Sequence, residues 1–274
     1  MSSALPCGVL FFNMYDPTHR AYLPAETITA TQLGCYSSSV VTALSVQDSN
    51  SVIEVLPILA DTIDAQARFV LEDINIRAFK VGGAFSIEAL DSIAGIASDY
   101  HEIPLVSTFG KHFYNHVDME EVSGGGRLYT EMLTDAYLDI LAPLSHVAVI
   151  DANYAQQWTS EDFDIHTAQD LILHTLDLGA EYCLVLNEKH GNSMRHRLIH
   201  SSDREDYFAH DPHLQTPAEF ADMVASALTC LLANGESTEE AINLALSVAL
   251  KQIEHQVQLG MGKSQPDRLA YYEP

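Results

Sequence analysis

Short apolar runs rich in valine, isoleucine and leucine alternate along the chain with segments of helical periodicity. Such runs are typical of strands buried on both faces of a parallel sheet, with the intervening helices covering those faces. The predicted strands are Gly8–Asn13, Ser38–Ser45, Ala78–Val81, Leu105–Thr108, Val147–Ile150 and Tyr182–Asn187. The predicted helices between them are Ala25–Leu33, Pro57–Asp73, Ser86–Tyr100, Gly126–Leu141 and Thr167–Leu178. The pattern therefore predicts an α/β fold, a three-layer α/β/α sandwich with a mostly parallel central sheet.

The last third of the chain adds a hairpin and two helices. The segment 192–208, "NSMRHRLIHSSDREDYF", alternates and contains turn residues, which predicts a hairpin appended to the sheet. The closing helices, Pro217–Ala233 and Thr238 to about Val257, are joined by "NGES", where Gly235 suits a helix C-terminus and Ser237 or Thr238 an N-cap. No linker or low-complexity run divides the 274 residues, which favours a single domain over 1–274.

The charge balance limits the partners of the chain. Thirty-eight acidic residues against thirteen basic ones give a net charge of −25, which repels nucleic acid and anionic lipid. The same negative charge repels the phosphates of ATP, so a nucleotide site needs backbone amides and a cation beside those phosphates. The apolar run in "MSSALPCGVLFFNM" is too short to span a bilayer, and the four cysteines form no CxxC pair. We therefore expect no membrane or nucleic-acid partner, reduced thiols and a cytoplasmic location.

The stretch "LGCYSSSVVTALSVQDSNSV" (33–52) resembles the hydroxymethylpyrimidine/phosphomethylpyrimidine kinases of thiamine biosynthesis, whose corresponding segment ends in T-A-L-x-x-Q. The similarity extends back through "YDPTHRAYLPAETITATQLG", where the family has D-P-S-G-G-A-G and then an acidic residue. It continues through "VLEDINIRAFKVGGA", similar to the strand leading to K-x-G-M, and through "IPLVSTF", "IDAN" and "CLVLNEKHG". The resemblance implies a ribokinase-like fold, phosphorylation of hydroxymethylpyrimidine or its phosphate by ATP with Mg²⁺, and a homodimer.

The resemblance also implies a set of substrate-binding and nucleotide-binding residues. Gln47 would hydrogen-bond the aminopyrimidine edge, and Glu26 takes the place of the family's aspartate near the hydroxymethyl group. The alternative for Gln47 is a strand-end side chain that caps the turn at 48–50. The implied substrate-binding residues are Glu26, Gln47 and Gly83, and the implied nucleotide-binding residues are Asn153, Asn187 and Lys189.

Several positions depart from the family pattern. The loop "DPTHRAY" (16–22) has no glycine, although glycines let the backbone approach a ligand closely. Thr108 stands where the family has an aspartate that helps to hold Mg²⁺. In "DANYAQ" Gln156 replaces a glutamate, and Asn187 replaces the lysine of M-K-G-G-H.

The stretch "HLQTPAEFADMVASALTCLL" (213–232) contains the last departure. Counted without gaps, the family's G-T-G-C falls on 219–222, which places Asp222 at the position of the catalytic base. "TPAE" is a capping-box sequence, with Thr216 as N-cap, Pro217 first in the helix and Glu219 reaching back. It predicts a helix that begins at Pro217 and fills the phosphate pocket. The alternative for Asp222 is a solvated acid on a polar helix face.

The histidines and a glycine run offer weaker candidates. His112 and His116 have i, i+4 spacing with Asp118 following, which suits a transition metal on a helix, but a surface loop is favoured and no metal site is predicted. Alternation puts His196 and His200 on one face of the hairpin, where solvated side chains are favoured over a pH-sensitive surface. His190, His210 and His213 lie nearby in the sequence. The run "SGGGR" (123–127) suggests a flexible lid.

Three functional hypotheses follow. The first is an ATP-dependent kinase in which Asp222 is the base. The second is a catalytically inactive member that binds a pyrimidine or has a regulatory role. The third is a different chemistry in the same cleft, because fold does not determine function.

Overall fold

The computed structural model describes residues 6–117, 126–202, 204–209 and 214–270. Asp118, the glycines at 124 and 125, His210 and His213 lie outside the described residues, so what the sequence suggests for them stays a prediction. Among the described residues, no helix is long and apolar enough to cross a membrane.

In the part of the chain that the structure describes, nine strands form the central sheet in the order β3-β2-β1-β4-β5-β6-β7-β8-β9. The six strands from β2 to β7 in this order are parallel, whereas β3, β8 and β9 pair antiparallel at the two edges. The strands are β1 (Gly8–Tyr15), β2 (Tyr36–Gln47), β3 (Val52–Pro57), β4 (Ile76–Val81), β5 (Leu105–Phe109), β6 (Val147–Asp151), β7 (Tyr182–His190), β8 (Ser193–His200) and β9 (Glu205–Ala209). A separate pair joins β10 (Gln256–Val257) to β11 (Gln265–Pro266).

Helices cover both faces of the sheet. They are α1 (Tyr22–Gln32), α2 (Ala60–Asp73), α3 (Ile87–Asp99), α4 (Gly126–Ala136), α5 (Ala168–Asp177), α6 (Phe220–Asn234) and α7 (Thr238–Glu254). A π-helical turn, Tyr137–Leu141, continues α4, and 3₁₀ turns lie at Tyr114–His116, Ala142–Leu144 and Ala155–Gln157.

The alternation of side chains along each strand divides the core between two layers. In β1, Leu10 and Phe12 pack with α2, α3 and α5, whereas Val9 and Phe11 pack on the opposite face with α1 and α6. Helices α6 and α7 share a further apolar cluster with β5, β6, β7 and β8. The prediction of a three-layer sandwich with a mostly parallel sheet and an appended hairpin is confirmed.

The edge strand β3 is absent from the sequence prediction, which started a helix at Pro57. In the structure Pro57 ends β3, opposite Ala43 of β2, and α2 begins at Ala60. Strand β3 exposes Ile53 and Leu56 and contains Glu54, so it lacks the uninterrupted buried apolar run of the central strands.

The predicted start of α6 is wrong. The helix begins at Phe220, and its N-cap is Glu219, which makes no side-chain capping bond. Thr216 and Pro217 lie before the helix, so the capping box does not form. By contrast, Ser237 caps α7 by accepting a bond from the Glu240 amide at 3.4 Å, and Gly235 ends α6 with φ 93°, as predicted.

The histidine predictions also need correction. His196 and His200 of β8 are both buried, not solvated. His196 Nδ1 accepts the amide of Asn187 at 3.2 Å, and His200 Nε2 lies 3.0 Å from Asp206 Oδ2.

Candidate active site

A small cavity lies where the carboxyl ends of β4 and β5 meet the first turn of α6. Its volume is about 20 Å³, and its walls include Gly82, Thr108 and Trp158 together with Ala218, Glu219, Ala221 and Asp222. The carboxyl ends of parallel strands are the usual ligand location in open α/β sheets. This cavity is therefore the candidate active site.

A buried lysine holds two carboxylates together beside the cavity. Lys80 Nζ, at the end of β4, lies 2.6 Å from Glu26 Oε1 and 2.5 Å from Asp222 Oδ1. Asn13, near the end of β1, donates from Nδ2 to the same two oxygens at 2.7 and 3.0 Å. Three elements, α1, α6 and the β1–β4 pair, thus meet at one polar network.

Burial decides the protonation of this network. All four side chains belong to residues that are at most 8% exposed. Burial raises the pKa of Glu26, and the charge of Lys80 opposes that rise. Burial also disfavours a charged Lys80, but the carboxylates of Asp222 and Glu26 raise its pKa, so the ammonium keeps its proton. Asp222 is therefore a buried, ion-paired acid, and the alternative of a solvated helix-face acid is wrong.

Glycine at position 82 makes this arrangement possible. A Cβ there would lie 2.0 Å from Asn13 Nδ2 and 2.8 Å from Lys80 Nζ. The Gly82 amide also donates to the Phe12 carbonyl at 2.9 Å, which ties the end of β4 to β1. The polar network therefore requires the bare backbone of Gly82.

The glycine-free loop 16–21 is organised by one aspartate. Asp16 Oδ1 accepts the Thr18 amide and hydroxyl, both at 2.7 Å, and Oδ2 accepts the Ala21 amide at 3.0 Å. His19 and Tyr22 have φ of 58° and 56°, a left-handed conformation that glycine adopts without strain. The loop thus keeps a backbone suited to glycine although side chains occupy it.

One of those side chains reaches α6. Arg20 Nε lies 2.6 Å from Glu219 Oε1, and the two side chains are 17% and 6% exposed. The ion pair explains why Glu219 does not cap its own helix: its carboxylate is turned to Arg20. Among the described residues, the amides of Ala221 and Asp222 have no hydrogen-bond acceptor, as expected of a helix N-terminus.

A second buried polar pair lies at the ends of β6 and β7. Asn187 donates from Nδ2 to Asp151 Oδ1 at 2.9 Å, and a bulge in β7 gives Asn187 a φ of 56°. Asp151 Oδ2 and Asn187 Oδ1 are buried without a hydrogen-bond partner among the described residues. Burial raises the pKa of Asp151 to about 6, against the bonds from Asn187 and the Asn153 amide.

Of the predicted substrate-binding residues, Gln47 and Gly83 lie at strand ends and Glu26 lies on α1. Gln47, which ends β2, has a buried Oε1 without a hydrogen-bond partner among the described residues. Glu26 Oε2 is likewise buried and without a partner among them. Gly83 follows β4, and its carbonyl accepts the Thr42 hydroxyl at 2.7 Å. The structure thus brings Glu26 and Asp222 together, and it places Gln47 and Gly83 on the neighbouring strand ends.

The predicted nucleotide residues do not form one cluster. Asn187 is buried, whereas the side chains of Asn153 and Lys189 are exposed. His112 and His116 also fail to share a helix, because only His116 lies in the 3₁₀ turn. His112 is instead held by a 2.9 Å contact of Nε2 with the Gln157 carbonyl. In the part of the chain that the structure describes, no group of three or more His, Cys, Asp and Glu side chains is placed to hold a metal ion.

Sequence reasoning missed four residues of the site: Asn13, Arg20 as an ion-pair partner, Lys80 and Arg268. Arg268 is 7% exposed, and its Nη2 donates to the Arg20 carbonyl at 2.7 Å. A signal existed for Lys80, because a lysine inside an apolar strand needs a buried counter-charge. Nothing in the sequence links Arg20 to Glu219, which are 199 positions apart.

Comparison with known proteins gives a consistent result over most of the chain. A family model described as phosphomethylpyrimidine kinase matches residues 16–267. The hydroxymethylpyrimidine/phosphomethylpyrimidine kinase of Haemophilus influenzae is 24% identical over 263 residues, which cover 92% of each chain. The protein of the same name from Mycobacterium leprae is 25% identical over 267 residues, or 94% of this chain and 92% of its own.

Solved structures confirm the ribokinase-like fold. The phosphomethylpyrimidine kinase of Clostridium difficile superposes with a TM-score of 0.69 at 21% identity, covering 88% of this chain and 96% of its own. The pyridoxal kinase of Bacillus subtilis, in an ADP complex, gives 0.79 at 19% identity, covering 97% and 98%. That of Staphylococcus aureus, with AMP-PCP and pyridoxal, gives 0.80 at 19% identity, covering 98% and 95%.

Proposed function

Because the chain belongs to the phosphomethylpyrimidine kinase family, we propose that it transfers a phosphoryl group from ATP to hydroxymethylpyrimidine or to its phosphate. The observation that supports this most directly is the position of Asp222. Its carboxylate lies in the first turn of α6, on the wall of the cavity and beside the carboxyl ends of β4 and β5.

Asp222 is suited to act as the general base. Lys80 and Asn13 hold its Oδ1, while Oδ2 has no hydrogen-bond partner among the described residues. With hydroxymethylpyrimidine as the acceptor, the substrate hydroxyl oxygen attacks the terminal phosphorus of ATP, its proton passes to Asp222 Oδ2, and the bond to the ADP oxygen breaks. Lys80 and Asn13 are positioning residues in this step, since they fix the direction of the carboxylate.

The unpartnered buried oxygens fit a pyrimidine that carries an exocyclic amine. Gln47 Oε1 and Glu26 Oε2 are acceptors without a donor among the described residues, and a buried acceptor without a donor is costly. An aminopyrimidine supplies exocyclic N–H donors that these two oxygens can accept.

We propose that the nucleotide binds farther along the same sheet, beside its last strand, β9. A groove of about 620 Å³ lies between β9 and α7, lined by Tyr207, Phe208, Ser247 and Leu250 among others, and its size suits a nucleoside. We place the phosphates between this groove and Asp222, near Asn153, Asn187 and Lys189. Mg²⁺ binds largely through phosphate oxygens and water, and it would neutralise phosphate charge here. A homodimer and a cytoplasmic location stay predictions.

The test is a coupled ADP-release assay with hydroxymethylpyrimidine and Mg-ATP. The exchange Asp222→Asn keeps the shape but removes the base, so we expect kcat to fall by roughly 10²–10⁴-fold. The matched control is Asp139→Asn, at an exposed position of the π turn after α4. Turnover by Asp222→Asn at the rate of the unmodified protein would overturn the assignment of the base.

Gln47→Leu tests pyrimidine recognition in the same assay. We expect KM for hydroxymethylpyrimidine to rise about tenfold with little change in kcat, because the bond is made to substrate and transition state alike. Gln66→Leu, on the exposed face of α2, is the control. An unchanged KM would remove Gln47 from the binding site.

The second candidate function is pyrimidine binding without phosphoryl transfer, and the scattered nucleotide residues are the observation in its favour, since Asn187 is buried whereas Asn153 and Lys189 are exposed. In both candidates the cleft must open before a substrate enters, because the cavity beside Asp222 holds only about 20 Å³. Calorimetry separates the two candidates. Heat of binding for hydroxymethylpyrimidine, with neither ATP binding nor ADP release, would support the binding protein and exclude the kinase.

A further inference from the structure

Three of the four cysteines lie together near the amino ends of β1 and β2, at the opposite edge of the sheet from the candidate active site. Cys7 directly precedes β1, Cys35 directly precedes β2, and Cys230 lies in α6. All three belong to one buried cluster, and their thiols are free. The fourth cysteine, Cys183, lies apart from them in β7. We call Cys7, Cys35 and Cys230 the thiol cluster.

Parallel strand pairing brings two of these thiols side by side. Gly8 lies opposite Tyr36 in the register of β1 and β2, and the Tyr36 amide donates to the Cys7 carbonyl at 2.8 Å. Cys7 and Cys35 each lie one position earlier, so their Cα atoms are about one strand spacing, roughly 4.8 Å, apart. Disulfide-bonded cysteines have Cα atoms about 4.4–6.8 Å apart. The backbone therefore already has the spacing that a disulfide needs.

The two sulfur atoms are also in contact. Cys7 Sγ lies 2.7 Å from Cys35 Sγ, with one thiol donating to the other. A disulfide bond is about 2.05 Å long, so the sulfur atoms need to approach by less than about 1 Å. Asn234, at the end of α6, accepts from the Cys7 thiol at 3.0 Å and holds it in this position. Bond formation thus requires a small movement of two side chains and no change in the register of the strands.

Cys35 is the thiol that is placed to react first. Hydrogen bonding with the Cys230 side chain lowers the pKa of the Cys35 thiol against the effect of burial, and the Cys7 thiol adds to the decrease. Burial, and then the contact with Cys35, raise the pKa of Cys7. Cys35 is 5% exposed, but Gly34 and Tyr36 on either side of it are exposed, so its sulfur lies directly beneath the surface. The thiolate is the form that attacks a disulfide.

We propose that Cys7 and Cys35 form a reversible disulfide, which makes the start of the β1–β2 pair a redox-sensitive modification site. The oxidant is a low-molecular-weight disulfide, for which oxidised glutathione is the probe. The Cys35 thiolate attacks one of its sulfur atoms, the S–S bond breaks, and one glutathione leaves as the thiolate. Cys7, once deprotonated, then attacks Cys35 Sγ in the mixed disulfide and releases the second glutathione.

The exchange is balanced, because two protein thiols are oxidised and one small disulfide is reduced to two thiols. The protons that the two cysteines lose are taken up by the two leaving thiolates. In a reducing compartment such a bond is transient, as is usual for redox-sensing disulfides inside cells. The inference does not rest on the proposed function, since the thiol cluster lies away from the cavity beside Asp222.

The test incubates the folded full chain with oxidised glutathione, removes the oxidant and counts free thiols with dithionitrobenzoate after denaturation. We expect four free thiols before treatment and two after it, with all four recovered in dithiothreitol. Peptide mapping by mass spectrometry should place the bond between Cys7 and Cys35. Circular dichroism of the treated protein confirms that the bond forms in the folded chain.

Single exchanges identify the attacking sulfur. Cys7→Ser lacks the second thiol, so we expect Cys35 to remain as a mixed disulfide with glutathione, whereas Cys35→Ser should lose no thiol. The matched control is Cys183→Ala, which should lose two thiols as the unmodified protein does. Four free thiols after treatment, or a bond that joins Cys35 to Cys230, would overturn the proposal. The mapping of the unmodified protein decides this even where a variant does not fold.

Discussion

Lys80 Nζ lies 2.5 Å from Asp222 Oδ1, and the same ammonium nitrogen lies 2.6 Å from Glu26 Oε1. One buried cation therefore serves two buried carboxylates that arrive from different helices. The network joins α1 and α6 to the central strand β4, so the same contacts that hold the proposed base also hold these elements together.

Removal of the cation should destabilise the protein strongly. Lys80→Met leaves two buried carboxylates without a counter-charge, and we expect a decrease of about 3–5 kcal/mol in the free energy of unfolding. Urea unfolding followed by circular dichroism measures it. Adding Glu26→Gln should recover part of this decrease, because one uncompensated charge is removed. Arg68→Met, which breaks the exposed Asp64 and Asp99 pairs, is the control and should cost far less.

Asp151 predicts a pH dependence of stability. Burial raises its pKa to about 6, above the ordinary value of 3.8, so between these values the folded state binds a proton that the unfolded state has released. The free energy of unfolding therefore falls as pH rises through this window and becomes level above about 6. Relative to Asp151→Asn, we expect the unmodified protein to lose about 1 kcal/mol between pH 5 and pH 7.

Urea unfolding at several pH values measures the free energy of unfolding of the unmodified protein and of Asp151→Asn. The difference between the two values removes the contribution of the other titrating groups. Asp139→Asn, at an exposed position, should keep the slope of the unmodified protein. Parallel pH profiles for the unmodified protein and Asp151→Asn would contradict the expected proton uptake.

The sequence predicted the sheet well because its central strands are buried on both faces. An apolar run such as that of β1 has one physical explanation in a chain of this composition, and the helical periods between the runs require crossover connections. The same reasoning missed β3, because an edge strand with Glu54 on its face has no such run. The strands that the sequence predicted are therefore those with buried, apolar side chains on both faces.

The candidate site was predicted less completely because its contacts are not local. Thr216 and Pro217 carry a strong capping signal, yet the helix starts at Phe220 because Glu219 gains a full ion pair with Arg20. A long-range charge contact outweighed a capping bond. Asp222 and Glu26 were identified through the resemblance, but the lysine between them became visible only in the structure.

The left-handed conformation of His19 in loop 16–21 gives a stability prediction. His19 is exposed with φ 58°, a region that costs an L-residue roughly 1 kcal/mol relative to glycine. His19→Gly should therefore stabilise the fold by up to about 1 kcal/mol, although it also removes the edge-to-face packing of the imidazole on Tyr15. Thermal and urea unfolding measure it. His101→Gly, at an exposed turn residue outside the left-handed region, should be neutral or destabilising.

Two glycine-to-alanine exchanges should act with opposite signs. At Gly82 a Cβ would lie 2.0 Å from Asn13 Nδ2 and 2.8 Å from Lys80 Nζ, both buried, so one of these groups must move. We expect Gly82→Ala to destabilise by more than about 1 kcal/mol and to lower kcat, because Asn13 and Lys80 orient Asp222. Gly95 is exposed within α3 and has no atom within 4 Å of an added Cβ.

Gly95→Ala should therefore stabilise by about 0.5–1 kcal/mol through helix propensity and leave ADP release unchanged. Urea unfolding and the coupled assay on both variants give the comparison. If Gly82→Ala were as stable and as active as the unmodified protein, the close approach of β4 to Asn13 would not be needed for the proposed base. A decrease confined to kcat, with stability retained, would instead show that the close approach serves to orient Asp222 rather than to hold the fold.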